Sequence, residues 1–154
     1  MSQNSTKVSE MDPDALARAC AEAMWAADNA SKHMGMKLEK VASGTATMSM
    51  KVQDFMTNGH DICHGGFVFT LADSTFAFAC NGYNQNAVAQ HCAVSFLLPV
   101  RSGETLTAVA TEIQKSGRSG IYDIRVTRDD GETVAEFRGH SRTVTGTHLP
   151  VDDQ

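Results

Sequence analysis

The sequence predicts an α+β fold in which one sheet wraps one long helix. Three observations carry that prediction. The first is a nearly all-apolar run at residues 65–81, in which Asp73 is the only charged side chain. A helix apolar on almost every face is normally enclosed by other elements. The second is a set of strand-like alternating segments, two before that run and four after it. The third is their order of strands, helix, strands, with no internal repeat and no linker.

Taken in chain order, Asp12-Pro13 reads as an N-cap and a first helical position. Residues 14–32 then carry a helical apolar face of Leu16, Ala19, Cys20, Ala23, Met24 and Ala27. Residues 36–41 and 44–52 alternate like two strands around a Ser43-Gly44 turn. A loop carrying Asn58 leads to the long helix, which starts at Gly65-Gly66 and can stop at a left-handed C-cap in Asn81-Gly82. Residues 87–97 place Val88, Gln90, Cys92, Val94 and Phe96 on one face. Residues 104–114 group Thr105, Thr107, Val109, Thr111 and Ile113, and residues 120–128 group Tyr122, Ile124 and Val126. Residues 132–143 set Val134, Glu136 and Arg138 opposite Thr133, Ala135 and Phe137. Asp130-Gly131 is a two-residue hairpin signal, and residues 99–103 make another turn. The expected organisation is a disordered segment 1–12, one domain at 13–145, and a loose acidic tail at 146–154.

Composition narrows the function classes. A chain of 154 residues with 42% hydrophobic content is most simply one domain with a real core. A net charge of −5 argues against a general nucleic-acid binder, and an anionic ligand would need local cations. No stretch has signal-peptide character and none is long enough to span a bilayer, so a cytoplasmic protein with no membrane partner is expected. Cys20, Cys63, Cys80 and Cys92 lack disulfide-scaffold spacing and read as free thiols. His60, Cys63, His64, His91 and Cys92 lack the paired knuckles of a zinc site, so no metal is expected. Cys63 beside His64 is a poor nucleophile–base pair, because such partners normally meet through the fold.

The chemistry centres on the helix. Thr70, Asp73, Ser74 and Ala77 are spaced i, i+3, i+4, i+7 and form a polar seam. A lone Asp there is costly unless something uses or pairs it, the plainer alternative being one exposed Asp on a core helix. Gly65 and Gly66 leave backbone N–H groups unobstructed at the positive end of the helix dipole. That is a suitable place to polarise a carbonyl oxygen.

The ordered set Asn58-Gly59-His60-Asp61-Ile62-Cys63-His64-Gly65-Gly66, Leu71-Ala72-Asp73 and Phe76-Ala77-Phe78-Ala79-Cys80-Asn81 resembles the hotdog-fold acyl-CoA thioesterases. The nearest subgroup is the phenylacetate-pathway (PaaI-type) hydroxyphenylacetyl-CoA thioesterases. The likeness continues through Phe96-Leu97-Leu98-Pro99, Gly103-Glu104-Thr105-Leu106, Gly120-Ile121-Tyr122-Asp123-Ile124 and Phe137-Arg138-Gly139, over roughly residues 33–145. It implies an antiparallel sheet around one central helix, with an extra N-terminal helix. It implies hydrolysis of acyl-CoA thioesters, with aryl or arylacetyl groups favoured, and no cofactor beyond the coenzyme A of the substrate. It implies a homodimer with shared active sites, often paired again into a tetramer.

Roles follow residue by residue. The N–H of Gly65 or Gly66 would hold the thioester carbonyl, and Asp73 would act as general base on water or as direct nucleophile. Asn58 would orient the water or the loop, and His64 the carbonyl or the loop. In the turn Lys115-Ser116-Gly117-Arg118-Ser119-Gly120, the residues Lys115, Arg118, Ser119 and Gly120 are candidates for the coenzyme A phosphates, the alternative being ordinary surface charge. Arg101 and Arg142 are weaker candidates. A hotdog hydratase or dehydratase is disfavoured because no His follows Asp73 on the helix, and a non-catalytic acyl-CoA-binding module because Asp73 is present. Gly65 and Asp73 are also ~12 Å apart along one helix axis, too far for a base to serve a carbonyl held at the mouth of its own chain.

Overall fold

In the computed structural model, which describes residues 7–151, the chain begins with a 3-10 turn at Val8–Glu10. Helix α1 (Pro13–Ala27) starts where Asp12 and Pro13 predict, the Asp12 carboxylate accepting the Ala15 N–H at 3.2 Å. The single helix expected to residue 32 is broken at Asp28. Its carboxylate accepts the Ser31 N–H at 2.9 Å and the Ser31 hydroxyl at 2.7 Å, and so caps a separate helix α2 (Asn29–His33). An Asp side chain competes in this way with the helical ladder for backbone donors.

Strands β1 (Lys37–Ala42) and β2 (Thr45–Lys51) meet at Gly44, whose φ of +72° needs a glycine. Helix α3 (Gly65–Cys80) follows, then β3 (Ala87–Phe96), β4 (Thr105–Ser116), β5 (Ser119–Thr127) and β6 (Thr133–Thr143). The six strands form one antiparallel sheet in the order β1-β2-β4-β5-β6-β3, so β1 and β3 are its edges. The sheet packs on α3 through Met48, Met50, Leu106, Tyr122, Ile124 and Phe137, against Leu71, Phe76 and Phe78 of the helix. Gly139 admits the helix closely: a Cβ there would stand 2.8 Å from the Phe76 ring. Thr70, Asp73, Ser74 and Ala77 are the half-exposed seam their spacing predicts.

Several local expectations are corrected. Neither Asn81 nor Gly82 adopts a left-handed cap, and Asn81 has φ −97°. Instead the Asn81 amide donates to the Ala77 and Ala87 carbonyls, both at 3.0 Å, and its oxygen accepts the Ala87 N–H at 2.8 Å, which ties the helix end to β3. In β3 the register shifts between Ala89 and His91. Val88 then lies opposite exposed Arg142, while Cys92 and Val94 lie opposite buried Gly139 and Phe137, so Val88 leaves the face of Cys92 and Gln90 is the unpaired residue at the shift. The threonine face of β4 is the outer one; Leu106, Ala108 and Ala110 point inward. The β5–β6 hairpin is longer than Asp130-Gly131 alone. It closes with Arg128 N–H on the Glu132 carbonyl at 3.1 Å, and Gly131 takes φ +84°.

The C-terminal tail, expected to be loose, is docked through residue 149. Asn84 accepts the N–H groups of His148 (3.1 Å) and Leu149 (2.8 Å), and His148 Nε2 lies 2.7 Å from Asn81 Oδ1. These buried asparagines need partners, and the tail backbone supplies them. The expected disorder of residues 1–6 and the last residues, 152–154, lie outside the described residues.

Candidate active site at the mouth of the central helix

The loop before α3 closes on itself. Asn58 donates its N–H to the Ile62 carbonyl at 2.8 Å and accepts the Asp61 N–H on its own carbonyl at 3.0 Å. The Asn58 side-chain oxygen accepts the His60 N–H at 2.9 Å. Asp61 takes φ +58° at the tip, a conformation Asp tolerates. His64 and Cys63 are fixed by N–H bonds to the Met56 and Val100 carbonyls, at 2.8 and 2.7 Å.

His64 is the N-cap of α3. Its Nδ1 accepts the Gly66 N–H at 2.9 Å, which places the proton of the neutral ring on Nε2. The Phe67 N–H bonds the His64 carbonyl at 3.0 Å. The Gly65 N–H has no partner among the described residues. The choice between Gly65 and Gly66 as carbonyl donor is thereby narrowed: the Gly66 N–H is engaged, and the Gly65 N–H is open at the positive end of the helix. Asn58 and Gly65 line a groove of about 440 Å³ walled by apolar side chains, among them Ile62, Val68, Phe96, Leu98 and Val134.

Asp73 is not part of that groove. It sits two turns further along α3, half-buried, with Cys92 Sγ 4.0 Å from Oδ1 as its one hydrogen-bonding neighbour among the described residues. Burial holds its pKa above the ordinary 3.8. Burial, with some help from the Asp73 charge, pushes the Cys80 thiol up to about 12 and raises that of Cys92. Cys63 is pushed by burial to about 11, which leaves no thiolate for nucleophilic chemistry near neutral pH.

The basic turn is at the other end of the molecule. Gly117 (φ +57°) and Arg118 join β4 to β5. Lys115 Nζ lies 4.8 Å from the ring centre of Tyr83, just beyond the C-terminus of α3, and Tyr83 donates its hydroxyl to Glu112 at 2.8 Å. Arg118 donates to the Thr143 carbonyl from Nε (3.2 Å) and from its terminal nitrogen (3.0 Å). Ser119 is exposed and lies opposite Arg142, which brings that arginine to the same turn. Gly120 is buried; a Cβ there would stand 2.7 Å from Ser141 Oγ. Arg101 lies beside the mouth loop instead, donating to the Asp61 carbonyl at 3.2 Å. The 16 residues of α3 thus place ~24 Å between the mouth and the basic turn of one chain.

Comparison with known proteins decides the family. Residues 60–135 match the thioesterase superfamily. The acyl-coenzyme A thioesterase PaaI of Escherichia coli (strain K12) is 42% identical over 127 residues, covering 82% of this chain and 91% of the relative. The chain belongs to the thioesterase superfamily. Its fold is the hotdog fold: the solved structure of E. coli PaaI superposes with a TM-score of 0.87 at 40% identity, over 88% of this chain and 99% of that one. A variant of the phenylacetic acid degradation protein PaaI from Thermus thermophilus superposes with a TM-score of 0.73 at 32% identity, over 76% of this chain and all (100%) of that one.

In this thioesterase the structure brings Asn58, His64, Gly65 and Gly66 together, and Lys115, Arg118, Ser119 and Gly120 together. Asp73 belongs to neither group within one chain. Two neighbours went unassigned in the sequence reading. Phe96 stands at the helix mouth, and Cys92 stands at Asp73. Both lie on the inward side of β3, and the one-residue shift at Gln90 obscured which part of that strand faces the helix.

The raised pKa of Asp73 makes a stability prediction. A carboxyl whose folded pKa exceeds its unfolded value favours folding while protonated, and that contribution is lost as pH rises through the folded value. Wherever Asp73 is ionised, its half-buried charge therefore opposes folding. Asp73→Asn should melt at a higher temperature than wild type at pH 7, with the gain shrinking as pH falls toward 3.8. Scanning calorimetry across that pH range checks it; a lower melting temperature at pH 7 would show that the carboxylate is paired rather than stranded.

Proposed function

We propose that this thioesterase hydrolyses aryl or arylacetyl esters of coenzyme A to the carboxylic acid and coenzyme A, at sites shared by two copies of the chain. One observation carries the reading. Gly65, whose N–H is open, lines an apolar groove, while the half-buried Asp73 is held away from it on the same helix. The aryl preference is supported by the apolar walls and by likeness to the acyl-coenzyme A thioesterase PaaI, whose structure is of a protein from the phenylacetic acid degradation operon.

The acyl group lies in the groove with its carbonyl oxygen on the Gly65 N–H, which gains strength as negative charge develops there. His64 fixes the geometry by capping Gly66. Asn58 keeps its amide NH2 for the water, since its oxygen is engaged by His60. Asp73 of a second copy takes a proton from water as the water adds to the carbonyl carbon, or adds to that carbon itself before water cleaves the resulting anhydride. Both routes break the C–S bond, send the electron pair to the leaving thiolate, and need Asp73 ionised. No cofactor is required beyond the coenzyme A of the substrate.

Edge strand β3 is the natural meeting surface. It carries exposed Val88, followed by exposed Leu97 and Leu98, and among the described residues no other strand pairs with its outer edge. Two-fold pairing of β3 sets the start of one copy's strand against the end of the other's. The mouth of one copy then meets the seam of the second copy, with the basic turn beyond it for the coenzyme A phosphates. Exposed Val109 and Ile113 on β4 favour association of two such dimers. No helix among the described residues is long and apolar enough to cross a membrane, and the free thiols suit a cytoplasmic location.

In a spectrophotometric assay of thiol release, Asp73→Asn should lower kcat by ~10²–10⁴ with little change in substrate affinity. Near wild-type rates would remove Asp73 from the mechanism. For wild type, kcat/KM should fall on the acid side with a midpoint above 3.8, because the buried carboxyl protonates early. Arg118→Ala should raise KM for coenzyme A esters more than it lowers kcat, and should barely affect a pantetheine ester that lacks the nucleotide phosphates. Equal losses on both esters would make Arg118 structural.

A further inference from the structure

We propose that Phe96 is the residue that selects the acyl group, a role that rests on the reading of Gly65 as the carbonyl donor. Phe96 ends β3, and its ring stands directly at the mouth of α3. A Cβ built on Gly65 would lie 2.9 Å from Phe96 Cζ and 3.2 Å from Cε1 and Cε2. The far edge of the ring is therefore turned to Gly65. In an α-helix every Cα–Cβ bond tilts toward the N-terminus, so what a Gly65 Cβ would strike also stands beside the N–H presented there. An alanine at this position would push the ring edge aside into the groove. The rest of the ring is uncovered in the single chain: Phe96 is 54% exposed and lines the groove with Leu98 and Val134.

That placement has a chemical consequence. A thioester whose oxygen reaches the Gly65 N–H must run its acyl chain past the Phe96 ring. A planar aryl group meets the ring in an offset or edge-to-face contact, which aromatic pairs favour. An acetyl group is too small to use that surface. Phe96 thus rewards aryl substrates beside the reacting carbonyl itself.

The test measures a ratio, not an absolute rate. Wild type, Phe96→Ala and Phe96→Leu are assayed with phenylacetyl-coenzyme A and acetyl-coenzyme A. The Kd of each intact ester is also measured by calorimetry in an Asp73→Asn background, with and without the Phe96 change. Phe96→Leu keeps apolar bulk and isolates the ring, and gel filtration verifies that each variant keeps the wild-type assembly. The preference for the aryl ester should fall by ~10-fold or more in both variants, in kcat/KM and in Kd alike. An unchanged ratio in enzymes that still turn over overturns the role of Phe96 and leaves the thioesterase reading standing. Absence of turnover by wild type on both esters sinks the proposed substrate class instead, and the Kd ratio then decides Phe96 on its own.

Discussion

Asp73 lies eight positions after Gly65 along uninterrupted helix, and a rise of ~1.5 Å per residue turns that spacing into ~12 Å. No side-chain rotation closes such a gap. A carbonyl held at the helix mouth is out of reach of the carboxylate behind it, although both belong to the same rigid element. The sheet makes the element rigid: Leu71, Phe76 and Phe78 are buried against it, and Gly139 lets the backbone of β6 approach the Phe76 ring. The enclosure that stabilises the helix therefore also keeps Asp73 away from the mouth of its own chain, which is the ground for the shared site proposed above.

The same packing leaves one seam of α3 half-open beside edge strand β3. Asp73 lies on that seam with a thiol for company and a pKa raised by burial. A stranded carboxylate beside an unpaired strand edge is a poor arrangement for an isolated chain. It is a sensible one for half of a shared site, in which a second copy brings a thioester and water to the carboxylate. The position of the basic turn fits the same proposal, since Lys115 lies over Tyr83 just beyond the C-terminal end of α3, with Arg118 on the same turn, far from the mouth of its own chain.

Much of this was legible in the residues. The lone charge in the run from Gly65, the double glycine at its start and the i, i+3, i+4, i+7 seam all follow from helical periodicity, and the structure keeps them. Less legible were features set by side chains that compete with the backbone. Asp28 captures Ser31 and splits the N-terminal helix. Asn81, Asn84 and Asn86 bind distant backbone and dock the tail. A one-residue shift at Gln90 inverts the facing of half of β3, which alternation alone does not reveal. At the site, it is the Nδ1 atom of His64 that engages the Gly66 N–H, a choice of rotamer and tautomer that no spacing encodes.

Subunit exchange between two inactive variants tests the shared site most directly. Asn58→Ala removes the loop side and Asp73→Asn the carboxylate side. A mixed two-fold dimer then holds one site with both groups intact and one with neither. Random pairing makes half the dimers mixed, so roughly a quarter of wild-type thiol release should return once exchange is complete. A tag on one variant, recovered together with the other, shows that mixing has occurred. Activity that stays at the level of the separate variants despite confirmed mixing would contradict the account, because it would mean that Gly65 and Asp73 serve the same chain.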